Sequence, residues 1–570
     1  MRARRLAIFA ALALSCARSP RPLAEGEKPR FEPDAGAELD DCSGRKCSLD
    51  LHSIVEGCEE RLVSTCSAGQ GCAKGECVSA CASAEAAQGS RGCSFMTVPP
   101  PRYPEAGGSC YAAFVANTWN EPAEVSVFYK GERRDVSRSL VVPKSGETVT
   151  YEPLDGPLPP GGIAILFLAQ APSSGGATTF VPCPVETIVK EAGGLEGTGR
   201  FDAFEIKSSV PVSAYSMYPY GGASSYLPSA TLLLPVASWG KGYRLLDAWA
   251  GTTPSLAPSI QVLAAQDDTE VRLTPAAEIA RGPGVEESPA GVETSWRLRK
   301  GEVVQIVQPG RLLGSPITST KPVAVFGGAA CMFLTETMGA CDSLHQQVPP
   351  QSAWGDAYVG VRHRARSGDE EELSPWRIIA AVDGTQLRYD PEPPDGAPTE
   401  LQAGKSAVFW AGRPFVVTSQ DAEHPIFMNG YMTGGSPHGG AGDPDFVNVV
   451  PSDQFLNEYV FFSDFTYAQG SVNLVRRRTP TGFHDVTLDC AGLVEGWKPV
   501  GIGGQYEYVR LDLVRDGKPQ AYASGTCAHG RHEARSVGPF GLTVWGFDFY
   551  ASYAYPGGSG TRTINDAVVR

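Results

Sequence analysis

Three stretches carry proline, an aromatic residue and tyrosine in one order without a gap: LLPVASWGKGY at 233–243, VPPQSAWGDAY at 348–358 and VVPSDQFLNEY at 449–459. Pro235, Trp239 and Tyr243 recur as Pro350, Trp354 and Tyr358, each displaced by 115 residues. They recur again as Pro451, Phe455 and Tyr459, each displaced by a further 101. Taken alone, SWGKGY is an aromatic platform of the kind that stacks on a sugar face. Three matched copies make it the punctuation of a repeated fold.

Other landmarks recur in step. IQVLAAQDDTEVRL (260–273) matches IIAAVDGTQLRY (378–389), each a strand, a tight turn with aspartate and a second, alternating strand. Proline-led strands, SSVPVSAY from Ser208, STKPVAVF from Ser319 and AEHPIFMNGY from Ala422, precede the three proline–aromatic segments. A degenerate first copy starts at Cys110 in CYAAFVANTWNEPAEVSVFY, and FGLTVWGFDFYASYAYPGG ends the series. Units of ~100–115 residues with about seven short strands have the size of an antiparallel β-sandwich. The expected fold is therefore all-β: about four tandem sandwich-like repeats, at approximately 107–230, 231–345, 346–447 and 448–560. A β-propeller-like arrangement is the alternative, and its blades of ~40–50 residues would have to sit two to a repeat.

Ahead of the repeats, Arg2, Arg4 and Arg5 followed by the apolar LAIFAALALS (6–15) form an export signal. An apolar run of that length is too short to span a bilayer. The run ends in ALSC, which resembles a bacterial lipobox with Cys16 as the lipidated residue and residues 1–16 as the signal peptide. Ordinary cleavage and secretion is the alternative. Residues 17–41 are proline-rich and charged, as suits a flexible spacer. Within residues 42–93 lie Cys42, Cys47, Cys58, Cys66, Cys72, Cys77, Cys81 and Cys93. So short a segment buries little, and in an exported chain disulfides supply what the core lacks. Zinc is the competing reading, but the segment lacks paired CxxC knuckles and His52 is its one histidine. Within the repeats, the expected pairs are Cys110 with Cys183, Cys331 with Cys341, and Cys490 with Cys527.

The net charge of −15 excludes the basic stripe that a nucleic-acid binder needs. There is no HExxH, GxSxG, P-loop or GxGxxG opening a helix, so no catalytic residue, cofactor site or metal site is assigned. CAHGRH (527–532) offers two histidines beside a cysteine expected to be bonded. Asp443 and Asp445 in GDPDF, and Asp267 and Asp268, lack EF-hand spacing and are read as turn residues. GDEEEL (368–373) reads as a solvated loop and VRRR (475–478) as a small basic spot. The best ligand-loop candidates by residue type are Tyr215, Tyr218, Tyr220 and Tyr226 in the Gly/Ser-rich YSMYPYGGASSYLP.

The cysteine-rich segment, CYAAFVANTW, SSVPVSAYSMYPY, LLPVASWGKGYRL, GDPDFVNVVPSDQFLNEYVF and VWGFDFYASYAYPGG together resemble the amino-terminal IgGFc-binding-protein domain family, and in particular its myxobacterial lipoprotein forms. The resemblance spans roughly residues 42–560. It implies a secreted, β-rich binding or adhesion module, and no family motif placed here is a catalytic site; with the lipobox, the expectation is a lipid-anchored surface protein without catalytic activity. Its ligand would be a protein or polysaccharide at the cell surface. Two other readings stand beside it: an extracellular glycoside-type hydrolase using a carboxylate pair, and a structural envelope or matrix component.

Overall fold

The computed structural model describes residues 44–57, 61–144, 149–173, 179–191, 194–251, 256–334, 340–368 and 372–570. Cys16, Cys42, Cys58 and the spacer lie outside these ranges. The chain is all-β, built from antiparallel sheets, with one eight-residue α-helix among the described residues, at Ala80–Ala87. None of its helices is long and apolar enough to cross a membrane among the described residues.

Four units share one plan, and a long strand organises each. These strands are Phe204–Tyr218, Pro316–Met332, the pair Phe415–Ser419 and Ile426–Met432, and Gly530–Asp548. The first half of each long strand belongs to one layer and the second half to the other. In the second unit, Ile317–Ser319 pair with Thr269–Leu273, whereas Val323–Ala329 pair with Pro258–Ala264. Between the two halves sits a proline: Pro211, Pro322, Pro425 or Pro539. Proline has no N–H to donate, so it fits where the chain leaves one ladder before joining the next. In the third unit the crossing is broken outright and the layers become two separate four-stranded sheets. The strands around each Asp-containing turn thus do not pair with each other. Thr269–Leu273 and Pro258–Ala264 lie in opposite layers, as do Thr385–Asp390 and Ser374–Ala380.

The proline–aromatic–tyrosine segment clasps each crossing. Pro235, Pro350 and Pro451 each precede a single 3-10 turn, after which Trp239, Trp354 and Phe455 turn into the core. The indole of Trp239 donates to the Leu234 carbonyl at 3.0 Å, and that of Trp354 to Pro349 at 3.3 Å. Each tyrosine hydroxyl joins two strands. Tyr243 accepts from the Gly240 N–H (2.9 Å) and donates to the Val323 carbonyl (2.6 Å). Tyr358 accepts from Gly355 (3.2 Å) and donates to Ile426 (2.7 Å). Tyr459 accepts from Leu456 (3.0 Å) and donates to Phe540. The carbonyl acceptor is every time the residue after the crossing proline. In the first unit the equivalent strand is Gly92–Thr97, where Gly92 pairs with Val212 as Gly240 pairs with Val323. Arg91 and Phe95 stand there in place of tryptophan and tyrosine.

The clasps also stack on one another. A Cβ on Gly92 would lie 2.5 Å from Pro235 Cβ, one on Gly240 2.4 Å from Pro350 Cβ, and one on Gly355 2.6 Å from Pro451 Cβ. The glycine of one clasp is the seat for the proline of the next.

After each long strand the chain turns back into a ring strand: Ser229–Leu233, Asp342–Val348, Asp445–Asn448 and Ala551–Pro556. Each ring strand packs against two others, so the four close around a common axis. They belong to different sheets, and side chains bridge the gaps. The Gln346 amide donates to the Ala230 (2.9 Å) and Ala554 (3.1 Å) carbonyls, and Asn448 donates to the Gln347 carbonyl (2.8 Å). Between the second and third units, Arg377 is buried and donates to the Asp247 (2.6 Å) and Ala248 (3.0 Å) carbonyls, while Arg311 grips the Asp247 carboxylate with two bonds. Residues 557–570 then run beneath the clasps. The N–H groups of Gly560, Thr561 and Ile564 donate to the carbonyls of Gln454, Gln88 and Ser352, and Asn565 donates to Gln351 and Trp354.

The cysteine-rich segment holds the disulfides Cys47–Cys72, Cys66–Cys77 and Cys81–Cys93. The last ties the helix to the first unit's clasp strand. Cys110–Cys183, Cys331–Cys341 and Cys490–Cys527 are bonded within the repeats.

Two variants test the clasp. Gly355→Ala drives a methyl into Pro451, and overpacking of this kind costs about 1–3 kcal/mol. Tyr358→Phe strands a buried N–H and a buried carbonyl, each costing about 1–3 kcal/mol. Both are expected to lower the urea midpoint, measured by tryptophan fluorescence, whereas Tyr226→Phe leaves it unchanged.

Candidate functional site

The ring strands all run from the turns that open them toward the clasps, so the axis has a clasp end and a turn end. The turns 219–228, 433–444 and Phe549–Tyr550 lie at the turn end, with Cys331 and Cys341, which precede and open the second ring strand. Leu227 packs with Cys331, Gly440 lies against Phe549, and the Tyr550 N–H donates to the Gly440 carbonyl (2.7 Å). The turns differ in length and composition, while the clasps at the other end repeat.

Of the four tyrosines singled out in the sequence, only Tyr226 reaches solvent, with 44% of its surface exposed. Tyr215 and Tyr218 are strand residues, and the long strand carries them between two layers. Tyr215 donates to the Val460 (2.6 Å) and Gly557 (2.9 Å) carbonyls and Tyr218 to the Ala106 carbonyl (3.2 Å). Tyr220 is buried against Phe114 and Phe167 and bonds Tyr151 at 2.8 Å. These three are packing residues, not a ligand loop. The exposed aromatic that sequence reasoning missed is Phe549, 57% exposed and set edge-on to Tyr550.

Beneath the turns lies a set of fully buried aspartates. Asp342 opens the second ring strand, Asp443 and Asp445 lead the third, and Asp464 follows the fourth unit's clasp strand Leu456–Ser463. Ser552 on the fourth ring strand links them. Its N–H donates to Asp342 Oδ2 (3.2 Å), and its hydroxyl donates to the Asp443 carbonyl (2.6 Å). Asp443 Oδ1 accepts from Gly435 N–H (3.3 Å), Asp445 Oδ1 from Phe446 N–H (2.7 Å) and Asp464 Oδ1 from Thr466 N–H (2.7 Å). Burial pushes Asp443 up to about 7 and Asp464 up to about 6. Asp342 and Asp445 are held well above the usual carboxylate range by burial, to which the charges of Asp443 and Asp445 add at Asp342. Asp443 and Asp445, read from the sequence as turn residues between strands, are buried in the core. A usable signal was there: Asp342 and Asp443 are displaced by 101 residues, as Pro350 and Pro451 are.

Other charged stretches are structural. Glu372, from the run read as a solvated loop, is nearly buried against Arg366 (2.9 Å). Arg476 pairs with Glu507 and Arg477 with Asp453. Asp489, Cys490 and His532 bring ligand-type atoms within 4.8 Å of one another. The Cys490 sulfur is spent on Cys527, and His532 is already bonded to Asp489 (3.1 Å) and the Ala528 carbonyl (2.7 Å).

Residues 229–546, more than half of the chain, match the sequence profile of a family described as IgGFc binding protein. The chain belongs to this family. The match begins at the first residue of the first ring strand and ends within the last long strand. A human IgGFc-binding protein (Homo sapiens) is 30% identical over 336 residues, 59% of this chain and 6% of that relative. The chain therefore corresponds to a small fraction of the length of the relative. No solved structure matches it.

His345 makes one part of this region pH-sensitive. It lies flat on Phe326 and its Nε2 bonds Gln261 Oε1 at 2.8 Å, and burial lowers its pKa to about 3. A histidine depressed in this way contributes stability that is full above its unfolded value near 6.5 and lost as pH falls toward 3. The buried aspartates act in the opposite sense: the stability they contribute is lost as pH rises through their folded values. The test is therefore a difference between two proteins. The stability gap between the wild type and His345→Gln is expected to shrink by about 2–3 kcal/mol from pH 7.5 to 4.5, read from urea titrations at both values.

Proposed function

We propose that this chain is an exported, lipid-anchored binding or adhesion protein without catalytic activity, and that it meets a protein ligand through the turn end of its ring. The observation that carries this reading is the contrast between the two ends. Clasps repeat at one, while dissimilar turns with exposed Tyr226 and Phe549 gather at the other. Binding surfaces are typically placed on variable loops held by a rigid scaffold. The disulfides suit an oxidising compartment, and the human relative carries a binding name. The carboxylates gathered at the turn end are not the pair open to substrate that glycoside hydrolysis needs, because Asp342, Asp443, Asp445 and Asp464 are all buried. The anchor rests on Cys16 at the end of the signal.

Purified protein is expected to retain a protein ligand on an array of extracellular proteins that includes immunoglobulin Fc. The Tyr226→Ala/Phe549→Ala variant should bind about tenfold or more weakly, since aromatic anchors carry most of an interface's energy. Val537→Ala should bind normally. Retention only on a parallel polysaccharide array, or binding indifferent to the turn variant, overturns the protein-ligand reading. Cys16→Ser should move the protein from the membrane to the soluble fraction, and unchanged membrane association removes the anchor.

A further inference from the structure

We propose that the buried aspartates at the turn end of the ring axis hold a divalent cation of calcium type, with Asp342, Asp443 and Asp445 as its carboxylates. Each of these side chains spends one oxygen on a backbone N–H: Asp342 on Ser552 and Asp445 on Phe446 in the ring strands, and Asp443 on Gly435 in a turn. The second oxygen, Asp342 Oδ1, Asp443 Oδ2 or Asp445 Oδ2, is buried with no partner, and Asp464 Oδ2 is in the same condition. A second observation is independent of the carboxylates. The Tyr467 hydroxyl is buried and equally unpartnered, and Asp464, Asp342 and Asp445 all act on it electrostatically. The unused bonding capacity of three units converges on one place.

None of these free oxygens receives a hydrogen bond from any donor. Leaving such groups buried and unpaired is costly. Arg366 is the cationic side chain acting on Asp443, and it is already engaged with Glu372, Thr433 and the Ala441 carbonyl. A hydrated cation supplies both what the charge and what the lone pairs require.

The donor set selects the ion. It is all oxygen, without imidazole or thiolate, which suits a hard cation over zinc or copper. Among the described residues, the axial carboxylate oxygens are not one of the groups whose ligand atoms lie within 4.8 Å of one another. The ion would therefore take some carboxylates directly and reach the others, with Asp464 and Tyr467, through water. Calcium's flexible shell of six to eight oxygens, waters among them, accepts that spacing. Because Asp342 and Asp443–Asp445 open successive ring strands and Ser552 sits on a third, the ion would pin three units together under the turns.

The experiment uses the full chain, stripped with a chelator and returned to pH 7.5. Isothermal titration with calcium chloride should show one saturable site, and the melting temperature should rise with calcium concentration. Terbium should give luminescence sensitised by Tyr467, Tyr553 and Trp545, and calcium should quench it at lower concentration than magnesium. Asp342→Asn and Asp445→Asn should each weaken calcium binding about 10- to 100-fold. Asp267→Asn, in an exposed turn, should leave it unchanged. Absence of saturable calcium binding by the wild type overturns the proposal, even where a variant fails to fold. Binding equal in Asp342→Asn, Asp445→Asn and the wild type also overturns it, and magnesium competing as well as calcium overturns the calcium assignment.

Discussion

A tyrosine hydroxyl shared between two strands is the constraint on which the rest of this structure depends. In the second, third and fourth units it accepts from the backbone N–H three residues earlier and donates to the carbonyl just after the crossing proline. Those two bonds fix the register of the clasp strand against the long strand at the place where proline interrupts the ladder. With the register fixed, Gly240 and Gly355, the N–H donors of the second and third units, face the next unit's proline at contact distance. One local geometry therefore sets both the interior of a unit and the angle to its neighbour. A fixed angle repeated from unit to unit closes a ring.

Closure creates the interior in which the aspartates lie. The ring strands come from four different sheets, so no backbone ladder joins them and buried side chains do so instead. Gln346, Gln347 and Asn448 serve the middle of the axis, and Ser552 with the aspartates serves its turn end. The hydrogen bonds these side chains make between units exist only in the assembled ring. This ties specificity of assembly to the same side chains that would be a liability in an isolated unit.

The repeat was legible because its punctuation is local. Proline, aromatic and tyrosine lie within nine residues, and the all-β class followed from their spacing. The long strand was harder to see. Tyr215 and Tyr218 belong to a run buried on both faces, which lacks the alternation of a half-exposed strand and borrows the look of an aromatic loop from the glycines that follow. The first clasp escaped notice because Arg91 and Phe95 replace the signature residues, and pairing with Val212 is what identifies it. The aspartates were hidden for a different reason. Asp342, Asp443 and Asp445 each sit beside glycine, proline or cysteine, in the company of turn residues. Their burial arises from segments more than a hundred residues apart, joined through Ser552.

The segment that runs beneath the clasps gives the architecture a property that open repeat arrays lack. Thr561 bonds Gln88 across a separation of 473 residues, and Arg91 pairs with Glu458 of the last clasp at 2.9 Å. An open solenoid ends in caps and tolerates a repeat more or less, because each repeat answers only to its neighbours. Here the first and last units answer to each other. The number of units is therefore a geometric quantity, set by the angle that each glycine–proline seat imposes. Removing one unit would leave two facing surfaces with nothing to meet, and adding one would demand a new angle at every seat.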